Sequence, residues 1–371
     1  MKLLVQPGDG VKPLVQAIEN AKKSVQIVIF RSDRLEIEKA LEDAVKRGVS
    51  VDALIAFTNR GGEKNLRKLE LQLLDHGVTV ARTADDLVRY HGKMMIVDGK
   101  ELHLLAFNFT RVDIERSRSF GVITTERELV QEGVALFDAD SKRRKYKPGS
   151  SRFLVSPVNA RKELAEFIKD AKKELLIYDV KISDREMIGL LEERAGEGLE
   201  VRIIGKIARH SSQISVRGLV NLRLHTRCMI RDGKDAFIGS QSMRELELDS
   251  RREIGVIFRD ADVIARMTKV FEEDWKSGIA RAASEADEAD DVVKPPAAKV
   301  AKKVAKTLSK ILPPVAPVVE EVTREILHSD DISIDAEELE ETVKVAVKQA
   351  VKHAVREAVE DVVEQQREPE A

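Results

Sequence analysis

The sequence predicts an α/β protein with two related lobes, each a β-sheet flanked by helices, followed by a helical tail. Three observations support this prediction: the first 280 residues contain an internal repeat, helix-like and strand-like apolar patterns alternate in both repeats, and the composition changes near Gly278. The predicted organisation is lobe 1 over residues 1–145, lobe 2 over residues 146–278, and a linker with a tail over residues 279–371.

The composition is that of a chain able to bury at least one large core. Of its 371 residues, 43% are apolar and 35% are charged. There is no run of about 18 apolar residues, and Gln6 and Pro7 end the apolar start, so neither a membrane span nor a secretory signal is expected. The single Cys228 excludes an intramolecular disulfide and a cysteine-cluster metal site. A cytoplasmic location is the expectation.

The formal net charge of −2 is distributed unevenly along the chain. Residues 281–371 carry eight more acidic than basic side chains, whereas residues 1–280 carry six more basic than acidic ones. All glycines and aromatic residues precede residue 281, and six of the ten prolines follow it. A mildly basic body is therefore followed by an acidic tail of different character.

The internal repeat predicts the same order of elements in each half. LLVQP at residues 3–7 aligns with FLVSP at residues 153–157, an offset of 150. The predicted pairs are helices at residues 11–22 and 161–172, strands at 25–30 and 175–180, helices at 35–47 and 186–195, and strands at 51–56 and 199–204. This alternation predicts parallel strands between helices, with a site between the lobes at the carboxyl ends of the strands.

Each half also contains the pattern His-x-basic-x4-Asp. It begins at His91 in HGKMMIVDG and at His225 in HTRCMIRDG. In an extended strand a histidine and the cation two positions later point to the same face, so each motif directs an imidazole and a positive charge at one spot. Two such pairs supply a nucleophile, a general acid and two cations for a phosphoryl group, with no metal or cofactor required.

These motifs resemble the phospholipase D superfamily, whose signature is a duplicated His-x-Lys-x4-Asp followed by Gly-Ser and Asn. The second copy continues into GSQS from Gly239, and ELELDSRREIGVIF is similar to the acidic segment that follows the motif in bacterial, cardiolipin synthase-like members. The first copy continues into LAFNFT and RSRSFGVI. The resemblance extends as far as Gly278 and implies two phospholipase D-like lobes related by a pseudo-two-fold axis.

The resemblance implies a two-step phosphodiester exchange through a phosphohistidine. His91 would attack phosphorus, and His225 would protonate the leaving alcohol. The other implied site residues are Lys93 and Arg227 as cations, Asn108, Ser240 and Ser242 as substrate-binding groups, and Glu253 as the carboxylate that orients an imidazole, often that of the opposite copy.

Asp98 and Asp232 complete the two motifs, and each precedes a glycine. Their place in the motif makes them candidate catalytic residues. An Asp-Gly pair is also typical of a hairpin turn, and the sequence leaves both roles open.

The sequence departs from the superfamily pattern at several positions. The departures are Arg227 for the second lysine, Ala106 in place of the first Gly-Ser serine, Ser242 for the second asparagine, and Ser119 for the counterpart of Glu253. One imidazole therefore lacks its carboxylate unless Asp113 or Glu115 supplies one. Phosphate binding would survive such a change even where turnover is slow or lost.

The tail contains two amphipathic segments. Residues 297–312 separate apolar residues from lysines, a pattern that suits an anionic membrane surface or a solvated linker helix. Residues 339–363 carry a valine and alanine stripe at i, i+3, i+4 and i+7, which predicts docking onto the body or self-association. The first segment leaves open a location peripheral to the inner face of the membrane.

Three functions remain open from the sequence. An enzyme acting on phospholipids, as a hydrolase or phosphatidyltransferase, is favoured by the surroundings of the second motif and by the basic tail segment. A metal-independent nuclease is compatible with the basic body, although only 15 aromatic residues offer little base stacking. The departures from the motif suggest a phosphate-binding scaffold without turnover.

Overall fold

The computed structural model describes residues 1–57, 63–209 and 211–280. The chain divides into two compact units, Met1–Ala286 and Asp287–Ala371, and every described residue belongs to the first. The two amphipathic segments of the tail, residues 297–312 and 339–363, lie outside the described residues.

The first half of the body begins with a strand and continues through alternating helices and strands. Its elements are β1 Lys2–Gln6, α1 Lys12–Asn20, β2 Ser24–Ile29, α2 Leu35–Lys46, β3 Ser50–Ile55, α3 Glu63–Asp75, β4 Thr79–Arg82, β5 Arg89–Tyr90, β6 Met94–Val97, β7 Glu101–Leu105, α4 Arg111–Glu115, β8 Ser117–Thr124 and α5 Arg127–Ser141.

The second half follows a similar order but has no counterpart of α3 among its described residues. Its elements are β9 Phe153–Val155, α6 Ala160–Lys169, β10 Glu174–Ile182, α7 Arg185–Gly196, β11 Glu200–Ile207, β12 Ile214–Gly218, β13 Arg223–Leu224, β14 Arg227–Arg231, β15 Asp235–Gly239, α8 Glu245–Asp249, β16 Arg251–Arg252, β17 Ile254–Phe258, α9 Ala261–Ser277 and β18 Ile279–Ala280.

The two halves form one sheet each, which confirms the predicted α/β class with two related lobes. The strand orders are β1-β8-β7-β6-β2-β3-β4 and β18-β12-β11-β10-β14-β15-β17-β9. Strands β2, β3 and β4 are parallel, as are β10, β11 and β12, whereas β6, β7 and β8 are antiparallel to their neighbours along the first sheet. The prediction of parallel strands therefore holds for only part of each sheet, because the tight hairpins β6–β7 and β14–β15 join antiparallel strands.

A shared apolar core joins the two sheets. Phe120 of β8 packs edge to face against Tyr178 of β10 with ring centroids 5.5 Å apart, and Tyr178 packs in the same way against Phe271 of α9 at 5.1 Å. All three rings are buried and belong to one cluster that draws residues from both sheets. Apolar contacts between the two sheets therefore hold the lobes together.

The body extends past its predicted end at Gly278, because β18 adds an antiparallel strand to β12 with Ile279 opposite Gly218. The predicted boundary between residues 145 and 146 stays a prediction. None of the helices within residues 1–57, 63–209 and 211–280 combines the length and the apolar character needed to cross a bilayer.

Asp98 and Asp232 have a structural role, which corrects their assignment as candidate catalytic residues. Both adopt a left-handed backbone conformation with φ of 54° in the hairpin turns. Each lies at the end of its strand that is remote from the histidine of its motif. Each carboxylate accepts three backbone N–H groups at 2.6–3.1 Å: those of Lys22, Lys23 and Ser24 for Asp98, and those of Lys172, Lys173 and Glu174 for Asp232.

We expect Asp98→Ala to lower the free energy of unfolding by about 2 kcal/mol, because three backbone N–H groups lose a charged acceptor. Asp98→Asn should cost less, since asparagine keeps a carbonyl acceptor and tolerates a positive φ. Urea unfolding followed by circular dichroism measures both variants. The exposed Asp75→Ala, at the end of α3, is the control and should change stability by less than about 0.5 kcal/mol. Equal losses in Asp98→Ala and the control would contradict the structural role.

Candidate active site

Two short strand pairs place each histidine motif against the opposite lobe. β5 pairs parallel with β16, and His91, which follows β5, donates its backbone N–H to the carbonyl of Arg252 at 2.7 Å. β13 pairs in the same way with β8, and His225 donates to the carbonyl of Arg118 at 3.1 Å. Each imidazole is therefore positioned by the lobe to which it does not belong.

The ring of His91 is held at both nitrogens. Nδ1 lies 2.8 Å from Oε2 of the fully buried Glu253, and Nε2 lies 2.8 Å from Nζ of Lys93. Phe30 packs edge to face against the ring, with centroids 4.6 Å apart. Since a carboxylate only accepts, we assign the proton to Nδ1, which leaves the lone pair on Nε2 to accept a hydrogen bond from Lys93. Nε2 then carries the lone pair of the ring.

Burial dominates the electrostatics around this ring. It lowers the pKa of His91 well below that of a free imidazole, and the charges of Lys93 and Arg227 lower it further, so that the ring is neutral at pH 7. Burial raises the pKa of Glu253, an effect that the charge of Lys93 opposes. Burial also lowers the pKa of Lys93 to about 7, against the attraction of Glu253. Lys93 therefore loses its charge within the physiological range.

His225 has a different set of neighbours. Its Nδ1 lies 3.4 Å from the hydroxyl of Ser119, and its Nε2 lies 3.6 Å from Oδ2 of Asp113. The same Oδ2 accepts the backbone N–H of Asn108 at 2.8 Å and its Nδ2–H at 2.7 Å, and Arg223 donates to Oδ1. Asp113 therefore faces Nε2 of His225, and Ser119 faces the other ring nitrogen.

The second residue considered as a substitute carboxylate, Glu115, takes no part in this contact. Its side chain pairs with Arg34 and with Arg111 at the surface. Burial lowers the pKa of His225 well below its usual value, and the charges of Arg227 and Arg223 lower it further. His225 is therefore neutral until a negative charge enters the site.

The second cation is fixed by its own lobe. Arg227 is buried, its Nε donates to the hydroxyl of Ser242 at 3.0 Å, and its Nη1 donates to the carbonyl of His225 at 2.7 Å. Ser240 is bonded to the backbone of Ile254, accepting the N–H at 3.0 Å. The predicted substrate-binding serines are thus engaged with protein groups.

The structure brings the two motifs together. The charge of Arg227 lowers the pKa of His91, and the charge of Lys93 lowers the pKa of His225. The predicted residues that lie in this cluster are His91, Lys93, Asn108, His225, Arg227, Ser240, Ser242 and Glu253. Asp98 and Asp232 do not belong to it.

Sequence reasoning missed the two arginines whose carbonyls accept the backbone N–H groups of the two histidines. Arg118 and Arg252 immediately precede Ser119 and Glu253 and are separated by the same 134 positions as the two histidines. Aligning the halves at this offset would have found the pair. No local pattern in the sequence predicts the hydrogen bonds that their carbonyls accept.

Comparison with known proteins identifies the repeated unit. Residues 14–141 and residues 164–275 both match the family model described as cardiolipin synthase, PLD-like domain. The chain belongs to this family. The resemblance of the two motifs to the phospholipase D superfamily is thereby confirmed, and each lobe is one PLD-like domain.

Relatives of this PLD-like protein include enzymes named for phospholipids. Cardiolipin synthase 1 of Bacillus anthracis is 24% identical over 339 residues, which cover 74% of this chain and 66% of the relative. The chain therefore spans slightly less than two thirds of the length of that relative.

Solved structures share the fold of the paired PLD-like domains. Polyphosphate kinase of Porphyromonas gingivalis superposes with a TM-score of 0.64 at 17% identity, covering 84% of this chain and 53% of the other. Phosphatidylserine synthase of Haemophilus influenzae superposes with a TM-score of 0.59 at 12% identity, covering 83% and 93%. At these identities the likeness shows the fold alone.

Sulfate should bind the PLD-like site more tightly at pH 6 than at pH 9. Lys93, with a pKa of about 7, is charged at pH 6, whereas binding at pH 9 requires the lysine first to take up a proton. We expect the apparent dissociation constant to rise by about tenfold or more between these values, since each pH unit above the pKa costs up to about tenfold.

Thermal unfolding in a sulfate titration, with ionic strength held constant by chloride, measures this difference. Sulfate keeps the same charge across the range, so the change reports on the protein. Lys93→Met should bind sulfate weakly and with a smaller pH dependence, since only proton uptake by His225 remains. Equal sulfate affinity of the unmodified protein at both pH values would show that Lys93 does not titrate near pH 7.

Proposed function

We propose that the protein catalyses phosphodiester exchange on phospholipids, as a phospholipase D-like hydrolase or as a phosphatidyltransferase of the cardiolipin synthase kind. The observation that carries the proposal is the state of His91, a neutral imidazole whose Nδ1 is held by Glu253 and whose Nε2 lies beside Lys93. A buried neutral nucleophile next to a cation suits attack on an anionic phosphodiester. The name of the Bacillus anthracis relative supports a phospholipid substrate.

In the first step, Nε2 of His91 attacks phosphorus, and the bond from phosphorus to the leaving alcohol breaks. Nε2 of His225 gives its proton to the leaving oxygen. The bound phosphodiester brings the negative charge that raises the pKa of His225, and Asp113 at 3.6 Å also favours the protonated ring. The products are an alcohol and a phosphohistidine whose positive ring is stabilised through Nδ1 by Glu253.

In the second step, the neutral His225 takes a proton from water or from a second alcohol. The resulting oxygen nucleophile attacks phosphorus, the bond to Nε2 of His91 breaks, and His91 returns to its neutral state. Water gives hydrolysis, and an alcohol gives transfer. Both outcomes use the same groups, so the acceptor that reaches the site decides between them.

Binding of the phosphodiester changes the contacts of Lys93 but leaves those of Arg227 in place. Lys93 donates to Nε2 of His91 in the free site, so its Nζ moves to a non-bridging oxygen when the phosphodiester arrives. This exchange frees the nucleophilic lone pair at the moment of binding. Arg227 is already fixed by Ser242 and the His225 carbonyl, and its planar fork presents its remaining N–H groups without moving.

A phospholipid is favoured over a nucleic acid by the small number of aromatic side chains available for base stacking and by the relative named above. We place the protein in the cytoplasm, peripheral to the inner face of the membrane, with residues 297–312 on the anionic lipid surface and residues 339–363 in self-association. Both roles of the tail rest on sequence alone.

The substrate class is tested by offering the full chain vesicles of phosphatidylglycerol or phosphatidylcholine, and separately single-stranded DNA, all in EDTA. We expect headgroup release or transfer from lipid and intact DNA. His91→Asn should lower lipid turnover by about 10³-fold, because it removes the nucleophile. His103→Asn, at a buried histidine that pairs with Glu101 outside the site, should change turnover little. Cleavage of DNA alone would instead support a nuclease, and sulfate binding without cleavage of either would support a scaffold.

The order of the two histidines is tested by intact-mass analysis after reaction with a p-nitrophenyl phosphodiester, whose leaving group needs no acid. We expect a covalent adduct to accumulate in His225→Asn, since the second step lacks its base, and to be absent from His91→Asn. An adduct that persists in His91→Asn and disappears in His225→Asn would reverse the assignment.

A further inference from the structure

The side chain of Arg252 makes two hydrogen bonds, and its backbone carbonyl accepts the N–H of His91. Its Nη2 donates to Oδ1 of Asp140 on α5 at 3.1 Å, and its Nη1 donates to the carbonyl of Ser156 at 3.2 Å. The guanidinium also lies over the ring of Tyr90, 5.5 Å from its centroid. Arg252 is 7% exposed and Asp140 is 5% exposed, so this ion pair is shielded from water.

Arg118 makes the same set of contacts in the other half. Its Nε and Nη2 donate to Asp274 on α9 at 2.7 and 3.0 Å, and its Nη1 donates to the carbonyl of Gln6 at 3.0 Å. The carbonyl of Arg118 accepts the N–H of His225. Tyr178 adds a hydrogen bond from its hydroxyl to Asp274 at 2.6 Å.

Both halves keep this arrangement even though they differ in the groups nearest the phosphate. Ser119 and Glu253, one residue further along, are not equivalent, and Lys93 and Arg227 are not identical. Each arginine nevertheless joins a helix carboxylate, the carbonyl of the residue before a proline, and the N–H of the opposite histidine. A buried ion pair contributes little net stability compared with apolar packing, so stability alone does not account for the repeated pair.

We propose that the ion pairs Arg252–Asp140 and Arg118–Asp274 are positioning clamps, each of which sets the imidazole of the opposite lobe relative to the phosphorus. Fixing the guanidinium at two points fixes the carbonyl of the same residue and the side chain that follows it. A misplacement of about 1 Å in a reacting group can cost about 100-fold in rate. The roles given to the two imidazoles rest on the proposed function, whereas the clamps themselves rest on the contacts above.

The two clamps have separable effects. Asp140→Asn loosens the placement of His91, which attacks in every reaction. Asp274→Asn loosens the placement of His225, whose proton matters in the first step only when the leaving group is a poor one. Phosphatidylglycerol has an alkoxide leaving group, whereas phosphatidyl-p-nitrophenol has an activated one, and the two substrates share the same phosphatidyl group.

The experiment measures release of the leaving group in a single turnover of the full chain on both substrates, which reports the first step before His225 acts as a base. We expect Asp140→Asn to lower this rate by about tenfold or more on each, and Asp274→Asn to lower it by about tenfold or more on phosphatidylglycerol with less than about twofold change on the activated ester. The lipid concentration that gives half of the maximal single-turnover rate should change by less than about threefold, because the cations are untouched. Asp235→Asn is the matched control, since its ion pair with Arg231 is similarly buried but lies on the β14–β15 hairpin.

Tyr178→Phe provides a milder variant that retains the buried charges, in case Asp274→Asn does not fold. It should show the same selective loss on phosphatidylglycerol to a smaller extent. The clamps would be overturned if the unmodified protein is active and neither clamp variant loses more activity than Asp235→Asn. If Asp274→Asn instead slows both substrates and Asp140→Asn slows phosphatidylglycerol alone, the clamps are supported and the order of the histidines is overturned.

A second readout does not depend on turnover. The proton on Nδ1 of His91 is held by Glu253, so its nuclear magnetic resonance signal reports the placement of the ring, and His91→Asn assigns it. Asp140→Asn should shift or broaden this signal, and Asp235→Asn should leave it unchanged. An unmodified protein that cleaves neither substrate, yet shows this response, would refute the proposed function and support the clamp, whereas an unchanged signal would refute the clamp.

Discussion

The site depends on the hydrogen bond from the backbone of each histidine to a carbonyl of the opposite lobe. His91 and Glu253 are 162 positions apart, and they meet because β5 lies beside β16 in register. The apolar core formed by Phe120, Tyr178 and Phe271 keeps the lobes together behind this contact. A change that separates the lobes would therefore remove the partner of Nδ1 and the opposing cation at once. Neither lobe contains a complete site.

The same geometry places ionisable groups where water cannot reach them. The lowering of the pKa of Lys93 from 10.5 to about 7 corresponds to a penalty of about 5 kcal/mol for its charged form. Glu253 offsets part of this penalty, and the neutral state of His91 avoids adding to it. A phosphodiester brings one negative charge to the side chains of Lys93 and Arg227. Substrate binding thus stabilises the charges that the folded protein has to bury.

The spacing of the sequence predicted which side chains share a face, but not which backbone groups they meet. The repeat indicated two lobes, and the positions of His91, Lys93, His225 and Arg227 in it indicated one cluster. The resemblance implied that Glu253 would serve the opposite imidazole, and the structure places it there. The repeat and the resemblance account for these successes, since His91, Lys93 and His225 lie just before strands β6 and β14 and not on them.

The sequence could not decide contacts between groups that are distant along the chain. An Asp-Gly pair has the same appearance in a hairpin and in an active site, and only the N–H groups of residues 22–24 show that Asp98 serves the turn. Asp113 was considered as a substitute carboxylate, yet it lies on Nε2 of His225 and not on Nδ1. The difference follows from the charge that each ring must carry. An attacking ring becomes positive and needs the carboxylate of Glu253 on Nδ1, whereas a proton donor becomes neutral, and the hydroxyl of Ser119 is sufficient there. The unequal partners of the two imidazoles therefore favour His91 as the nucleophile.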